Sequence, residues 1–145
     1  MPKITLYKDD LHREPVIELW RQALGYADGH RSPALAIDKK LAVDDRLFFV
    51  ALEEDTVIGT IMAGYDGHRG WLYSLAVRSS HRRRGIGASL VSQAEQALSA
   101  LGCFKVNLQL AEGNEAVAAF YETLGYAVEK RVSMGKHMAA NRPGD

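Results

Sequence analysis

The chain has 145 residues and a mass of 16.0 kDa, which is the size of one ordinary domain with one hydrophobic core. Its 18 lysines and arginines balance its 18 aspartates and glutamates, and a zero net charge argues against a broadly basic nucleic-acid or membrane-surface binder. The single cysteine, Cys103, excludes an intrachain disulfide, and no apolar run approaches the roughly 20 residues that span a bilayer. We therefore expect a cytoplasmic protein.

The first half of the chain is predicted to contain two helices and four strands. Ser32 followed by Pro33 is typical of a helix start, because serine caps the first turn and proline is tolerated there. Glu54 and Asp55 separate two apolar runs and favour an antiparallel hairpin. The predicted elements are a strand around residues 4–6, helices over 15–24 and 32–41, and strands over 47–53, 57–65 and 71–77.

The second half is predicted to alternate helices with strands. Apolar residues recur at helical spacing from Ile86 until Gly102 ends the helix, and a strand over 105–110 follows. Asn114 is predicted to cap the next helix, which ends at Gly125, and one or two strands follow. These elements give one mixed α/β domain over residues 1–140 and a polar tail over 141–145.

The segment most informative about function is Arg-Arg-Arg-Gly-Ile-Gly at residues 82–87, between a predicted strand and a predicted helix. Glycines allow tight turns that expose backbone N–H groups, and the start of a helix attracts anions. Arginine guanidinium groups add donors that suit phosphate oxygens. The segment is therefore a candidate diphosphate site, with a solvent-exposed basic loop as the alternative. It lacks the Gly-Lys-Ser/Thr ending of a Walker loop and the third glycine of the dinucleotide fingerprint.

This loop, with Tyr-Ser-Leu-Ala-Val at residues 73–77 before it, resembles the acetyl-coenzyme-A site of the GNAT superfamily of N-acetyltransferases. Residues 114–126 are similar to a second signature of that superfamily. In this segment an asparagine precedes a helix with an aromatic pair, and Leu-Gly-Tyr follows. Within the superfamily, the turn over residues 64–70 is similar to that of the bacterial YpeA-type acetyltransferases.

The resemblance implies the fold and the reaction. The fold would be mixed α/β, with a central, mostly antiparallel sheet splayed between strands 4 and 5 and helices on both faces. The chain would move an acetyl group from acetyl-CoA to an amine by direct attack, without a metal. The expected partners are acetyl-CoA and an amine acceptor of unassigned identity, without nucleic acid or membrane, and the protein would be a monomer or a homodimer.

The resemblance also implies which residues bind acetyl-CoA. Backbone groups of the fourth strand would pair with the pantetheine arm, the arginine loop and the next helix would hold the diphosphate, and Asn114 would bind the pantetheine. The implied cofactor-binding residues are Leu75, Ala76, Val77, Arg82, Arg83, Arg84, Gly85, Ile86, Gly87, Ala88, Asn114 and Tyr121.

For catalysis, the resemblance implies that Tyr121 protonates the departing thiolate and that the backbone of Val77 polarises the thioester carbonyl. Gln109 stands where the superfamily's ribosomal-protein N-terminal acetyltransferases have a glutamate base, and an amide cannot accept a full proton. Glu112 or ordered water is then the candidate base.

Alternatives remain open at this point for two residues and for the function of the whole domain. Asn114 is a good helix cap without any ligand, and Tyr121 lies on the apolar stripe of its helix. The domain as a whole would also suit a non-catalytic acyl-CoA sensor, because the glutamate is missing. A small nucleic-acid or phosphate-binding module built on the arginine loop is the other alternative for the domain.

Overall fold

The computed structural model describes residues 2–25 and 32–138, which fall into two units, residues 1–108 and 109–145. The predicted polar tail and the end of the predicted domain lie outside the described residues. The first unit contains β1 (Lys3–Leu6), α1 (Asp9–Ala23), α2 (Pro33–Val43), β2 (Phe48–Glu53), β3 (Thr56–Tyr65), β4 (Gly70–Val77), a 3-10 turn (Ser79–His81), α3 (Ile86–Ala100) and β5 (Val106–Leu108); the second contains α4 (Glu115–Thr123).

The strands form one sheet whose spatial order, β1-β2-β3-β4-β5, follows the chain. The first three pairs are antiparallel, and β4 pairs with β5 in parallel. This last pairing runs only from Gly70 to Leu72, so residues 73–77 of β4 extend beyond it. The predicted mixed α/β fold is confirmed, with a mostly antiparallel sheet that opens between strands 4 and 5.

Helices cover both faces of the sheet, as adjacent residues of β3 demonstrate. The indole nitrogen of Trp20 in α1 bonds the hydroxyl of Thr60, whereas a Cβ on Gly59 would meet Leu90 of α3. Neighbouring residues of a strand point to opposite faces, so α1 and α3 lie on opposite sides of the sheet. The fully buried side chains come from both layers and include Val16, Leu19, Trp20, Ile37, Val50, Leu90, Val91 and Leu98.

Helix α1 begins at Asp9, earlier than the predicted start at Pro15. The backbone N–H of Lys8 donates to Nδ1 of His12 at 3.0 Å, and burial lowers the pKa of His12, which favours the neutral ring that can accept this bond. Two acidic residues in the first turn also suit the positive end of the helix. The helix therefore begins six residues before Pro15, which lies inside it.

The predicted hairpin between β2 and β3 is confirmed. Its turn residues, Glu54 and Asp55, have φ values of 50° and 66°. Positive φ at both central positions is the pattern of a type I′ turn, whose twist matches the flanking strands.

Two predicted strands differ from the structure. Strand β5 is shorter than predicted, and residues 126–138 contain no strand. The apolar residues Val128, Val132 and Met134 of this segment are 83–91% exposed. A strand needs a hydrogen-bonded neighbour and a face to bury, and this segment has neither in the part of the chain that the structure describes.

We expect Gly59→Ala to destabilise the fold because α3 packs directly on this glycine. A Cβ there would lie 2.9 Å from Leu90 Cδ1 and 3.1 Å from the carbonyl oxygen of Ala76. Overpacking of this kind costs about 1–3 kcal/mol of unfolding free energy, measurable by urea denaturation. Gly64→Ala is the control, since its nearest contact would be an ordinary 3.5 Å. Equal losses in both variants would contradict the packing argument.

Candidate active site

The end of β4 provides an open backbone edge. Beyond Leu72 no residue of β4 pairs with β5, while Ala76 is buried in the core beneath. Leu75 and Val77 are half-buried, and the carbonyl oxygen of Val77 accepts a hydrogen bond from Nε of Arg82 at 3.3 Å. Arg82 therefore lies directly beside the end of this strand.

The backbone between β4 and α3 turns sharply toward the helix. Arg83 and Gly85 both have positive φ, 65° and 77°. Gly85 is the N-cap of α3 and supplies no side-chain cap, and the space where its Cβ would lie is open. In an α-helix the first-turn N–H groups, here those of Ile86, Gly87 and Ala88, have no partner within the helix. Such a turn leading into a helix forms a concave anion-binding surface.

The arginines of this loop have different surroundings. Arg78 points back to the fold, because its Nε donates to the Val57 carbonyl at 2.7 Å and its Nη1 lies 3.6 Å from Glu18. Arg82, Arg83 and Arg84 are exposed. Positive charge available to a ligand is therefore concentrated at residues 82–84.

Glu53, the last residue of β2, connects this loop to the sheet. One carboxylate oxygen lies 2.9 Å from Nε2 of His81, and the other lies 3.8 Å from Nη1 of Arg84. The hydrogen bond with His81 holds the pKa of Glu53 below its usual value, with a smaller contribution from the charge of Arg84. The acid therefore stays ionised and restrains the loop from one side.

The second unit contains the other predicted site residues. Asn114 occupies the N-cap position of α4 but makes no side-chain cap, and both Asn114 and Glu112 are exposed. The ring of Tyr121 is buried and makes edge contacts with Phe120 and Tyr126, with ring centroids 5.1 and 5.5 Å away. Burial raises the pKa of Tyr121 to about 12.

Gln109 begins the second unit, and its amide Nε2 donates to Ser133 Oγ at 2.8 Å. Within the first unit, the structure brings Leu75, Ala76 and Val77 next to the loop and helix start at residues 82–88. Glu112, Asn114 and Tyr121 belong to the second unit: Glu112 lies in the turn before α4, Asn114 at its N-cap and Tyr121 near its C-terminal end.

Sequence reasoning missed a buried lysine beside β4. Lys40 Nζ donates to Asp45 Oδ2 at 2.7 Å, to the Tyr73 hydroxyl at 3.0 Å and to the carbonyl of Ala63. Its side chain is 6% exposed. The only signal for it was a position one turn after the buried Ile37 on the same face of α2.

Sequence reasoning also missed a bulge in β4. The pairing between β3 and β4 shifts by one residue, so Ser74 and Leu75 together oppose Ile61. Ser74 has a φ of 55°, in the left-handed region. A glycine would have signalled this conformation, but a serine does not.

Neither a membrane span nor a metal cluster is found among residues 2–25 and 32–138. No helix there is long and apolar enough to cross a bilayer. No group of three or more His, Cys, Asp or Glu side chains there is arranged to hold a metal ion.

A mostly antiparallel sheet that opens beside an arginine–glycine loop and a helix start is the arrangement expected of a GNAT protein. The model of the acetyltransferase (GNAT) family matches residues 13–126. An acetyltransferase of Yersinia pestis (strain Pestoides F) is 36% identical over 140 residues, which cover 97% of this chain and 98% of that relative. The chain belongs to the acetyltransferase (GNAT) family.

Solved structures agree with this fold. The PaiA N-acetyltransferase from Thermoplasma acidophilum, in complex with coenzyme A, has a TM-score of 0.76 at 19% identity, covering 91% of this chain and 93% of that one. AAC(6')-Iy, in complex with the bisubstrate analogue CoA-S-monomethyl-acetylneamine, has a TM-score of 0.75 at 19% identity, covering 96% and 99%. At these identities the likeness establishes the fold alone.

Proposed function

We propose that this protein transfers an acetyl group from acetyl-CoA to an amine, by direct attack of the amine on the thioester. The observation that carries the proposal is the adjacency, within one unit, of the open edge of β4 and the anion-binding turn at the start of α3. A thioester with a long amide-containing arm and a diphosphate requires both features. The family of the chain and the coenzyme A bound to the PaiA structure support this assignment.

The residues of the loop fit the diphosphate of acetyl-CoA. The open space at Gly85 leaves room for the diphosphate, and the first-turn N–H groups of α3 provide hydrogen-bond donors. The exposed guanidinium of Arg82 provides positive charge. We assign the diphosphate to the backbone of residues 83–88, with Arg82 assisting. When bound, acetyl-CoA supplies the acetyl group as a reactive thioester.

Other residues of the chain would orient and polarise the thioester. Backbone groups of Leu75 and Val77 would pair with the pantetheine arm as an added strand would, and the N–H of Val77 would polarise the thioester carbonyl. The side chain of Asn114 is not used as a helix cap and is available to bind the pantetheine. Tyr121 would donate a proton to the departing thiolate.

The acceptor must lose a proton before it attacks. A lysine-like amine with a pKa near 10.4 is rarely neutral at pH 7, at a cost of about 4–5 kcal/mol, whereas an α-amine costs only about 1 kcal/mol. Gln109 cannot act as the base. Glu112, exposed in the turn before α4, is the candidate side chain for this role in the second unit.

The proposal is tested by measuring free thiol release from acetyl-CoA against a panel of amines, including α-amino peptides, lysine-like amines, polyamines and amino sugars. We expect at least one class to give saturable, enzyme-dependent release at neutral pH. Parallel thermal denaturation with acetyl-CoA separates binding from chemistry. A protein whose melting temperature is unchanged at millimolar acetyl-CoA would contradict the proposal.

A non-catalytic acyl-CoA sensor is the second candidate. The observation that favours it is Gln109, whose amide is engaged with Ser133 where related enzymes have a glutamate. A clear acetyl-CoA thermal shift without thiol release for any amine in the panel would favour the sensor over the enzyme.

A further inference from the structure

The feature that carries a further inference is the bulge at Ser74 and Leu75, which lies just before the open edge of β4. An extra residue in a strand reverses which side each following backbone group faces, because these groups alternate along a strand. The bulge therefore decides which N–H groups of β4 are directed toward a bound thioester.

Before the bulge, the backbone N–H and C=O groups of the even-numbered residues of β4 point toward β5. The N–H of Gly70 donates to the carbonyl of Lys105 at 2.9 Å, on the β5 side. By alternation, Leu72 also faces β5 and Tyr73 faces β3. An uninterrupted strand would continue with even-numbered residues along the open edge.

After the bulge, the backbone N–H and C=O groups of the odd-numbered residues point toward the open edge. The N–H of Arg78 donates to the carbonyl of Ile58 at 2.8 Å, on the β3 side. Val77 and Leu75 therefore face away from β3, and the carbonyl of Val77 accepts instead from the side chain of Arg82. Leu75 and Val77 present their backbone groups at the edge because of the bulge.

A chain of two hydrogen bonds that begins in the core supports the bulge. The indole N–H of Trp20 donates to Oγ1 of Thr60 at 2.8 Å, and this hydroxyl donates to the carbonyl of Ser74 at 2.9 Å. Trp20 and Thr60 are fully buried. An indole only donates and a carbonyl only accepts, so the direction of both bonds is determined.

We propose that Trp20 and Thr60 are positioning residues for acetyl transfer. They hold the Ser74 carbonyl, and thereby the left-handed backbone of the bulge, so that the N–H groups of Leu75 and Val77 point at the thioester carbonyl. The inference rests on the proposed function. It assigns to the core beneath β4 a role in the rate of the reaction, distinct from its role in stability.

The test compares Thr60→Val, which keeps the side-chain shape but removes the hydroxyl, with Thr60→Ser, which keeps it. We expect Thr60→Val to lower kcat by about 10- to 100-fold with a small change in KM for acetyl-CoA, because the diphosphate turn is untouched. The carbonyl stretch of bound ¹³C-labelled acetyl-CoA should shift to higher frequency as polarisation weakens. Thr60→Ser should restore both readouts.

Val91→Ala is the matched control for lost core packing, since Val91 is fully buried on α3, which packs on the opposite face of the sheet from Trp20 and the Thr60 side chain. It should lower the melting temperature while leaving the carbonyl band unchanged. If Thr60→Val does not fold, Trp20→Phe removes the indole donor and takes its place, with a lowered kcat and a raised carbonyl frequency expected.

The outcomes separate the two proposals. Unaltered kcat and carbonyl frequency in the folded variant, beside an active wild type, would overturn the positioning role alone. A wild type that neither binds nor consumes acetyl-CoA would overturn the proposed function and this inference together.

Discussion

Tyr121→Phe is expected to lower kcat by about 10²-fold or more while acetyl-CoA still raises the melting temperature. The substitution removes only the hydroxyl, and the aromatic ring keeps its edge contacts with Phe120 and Tyr126. Folding and cofactor binding should therefore change little. The lost turnover would report the proton that the phenol donates to the departing thiolate.

The pH dependence provides a second readout for Tyr121. Burial raises its pKa to about 12, so the phenol keeps its proton well above neutral pH. A raised pKa means that the proton-donating form is lost only as pH approaches 12. We therefore expect the titration of Tyr121 to cause no fall in kcat between pH 8 and pH 10. A fall in that range that is seen in the wild type and absent from Tyr121→Phe would contradict this expectation.

Tyr126→Phe is the matched control, because it removes a hydroxyl from the neighbouring ring. We expect it to change kcat by less than about threefold. Undiminished turnover in Tyr121→Phe would remove this residue from the mechanism. It would then be a core tyrosine whose role is to pack within its unit.

Gly85→Asp is expected to abolish the thermal shift that acetyl-CoA produces, whereas Gly85→Asn should retain most of it. Aspartate and asparagine tolerate positive φ better than other side chains, so both fit a residue at φ 77°. The space where a Cβ would lie at this position is open. The two variants differ by one negative charge, placed where the diphosphate would lie.

The free protein is the internal control for this pair. Both variants should have similar melting temperatures without ligand, because the substitution lies on an exposed turn. Equal acetyl-CoA shifts in Gly85→Asp and Gly85→Asn would contradict the assignment of the diphosphate to this turn.

Much of the fold was predictable because its signals are local. The hairpin at Glu54 and Asp55, the helix start at Ser32 and the helix from Ile86 follow from turn chemistry and apolar spacing. The arginine–glycine loop was also visible, since exposed arginines beside a glycine turn at a helix start favour anion binding.

The remaining features depend on contacts that the sequence does not display. The start of α1 depends on a bond from Lys8 to His12, and the bulge at Ser74 depends on a hydroxyl from β3. Neither a serine nor a threonine within a strand signals that Ser74 forms a bulge or that the Thr60 hydroxyl supports it. One or two strands were predicted after Tyr126, but residues 126–138 contain none, because a strand also needs a neighbouring strand to pair with.

The order of the strands also has a consequence for local stability. Neighbours from β1 to β4 are antiparallel, whereas the parallel pairing of β4 with β5 has only three residue pairs and requires closure of the long segment that includes α3. We expect amide hydrogens to exchange slowly in β2 and β3 and faster toward β5. The short β4–β5 pairing next to the edge assigned to the thioester would then be the part of the sheet that opens most easily. A ligand lying along that edge would hydrogen-bond the backbone groups of β4 that no strand pairs with.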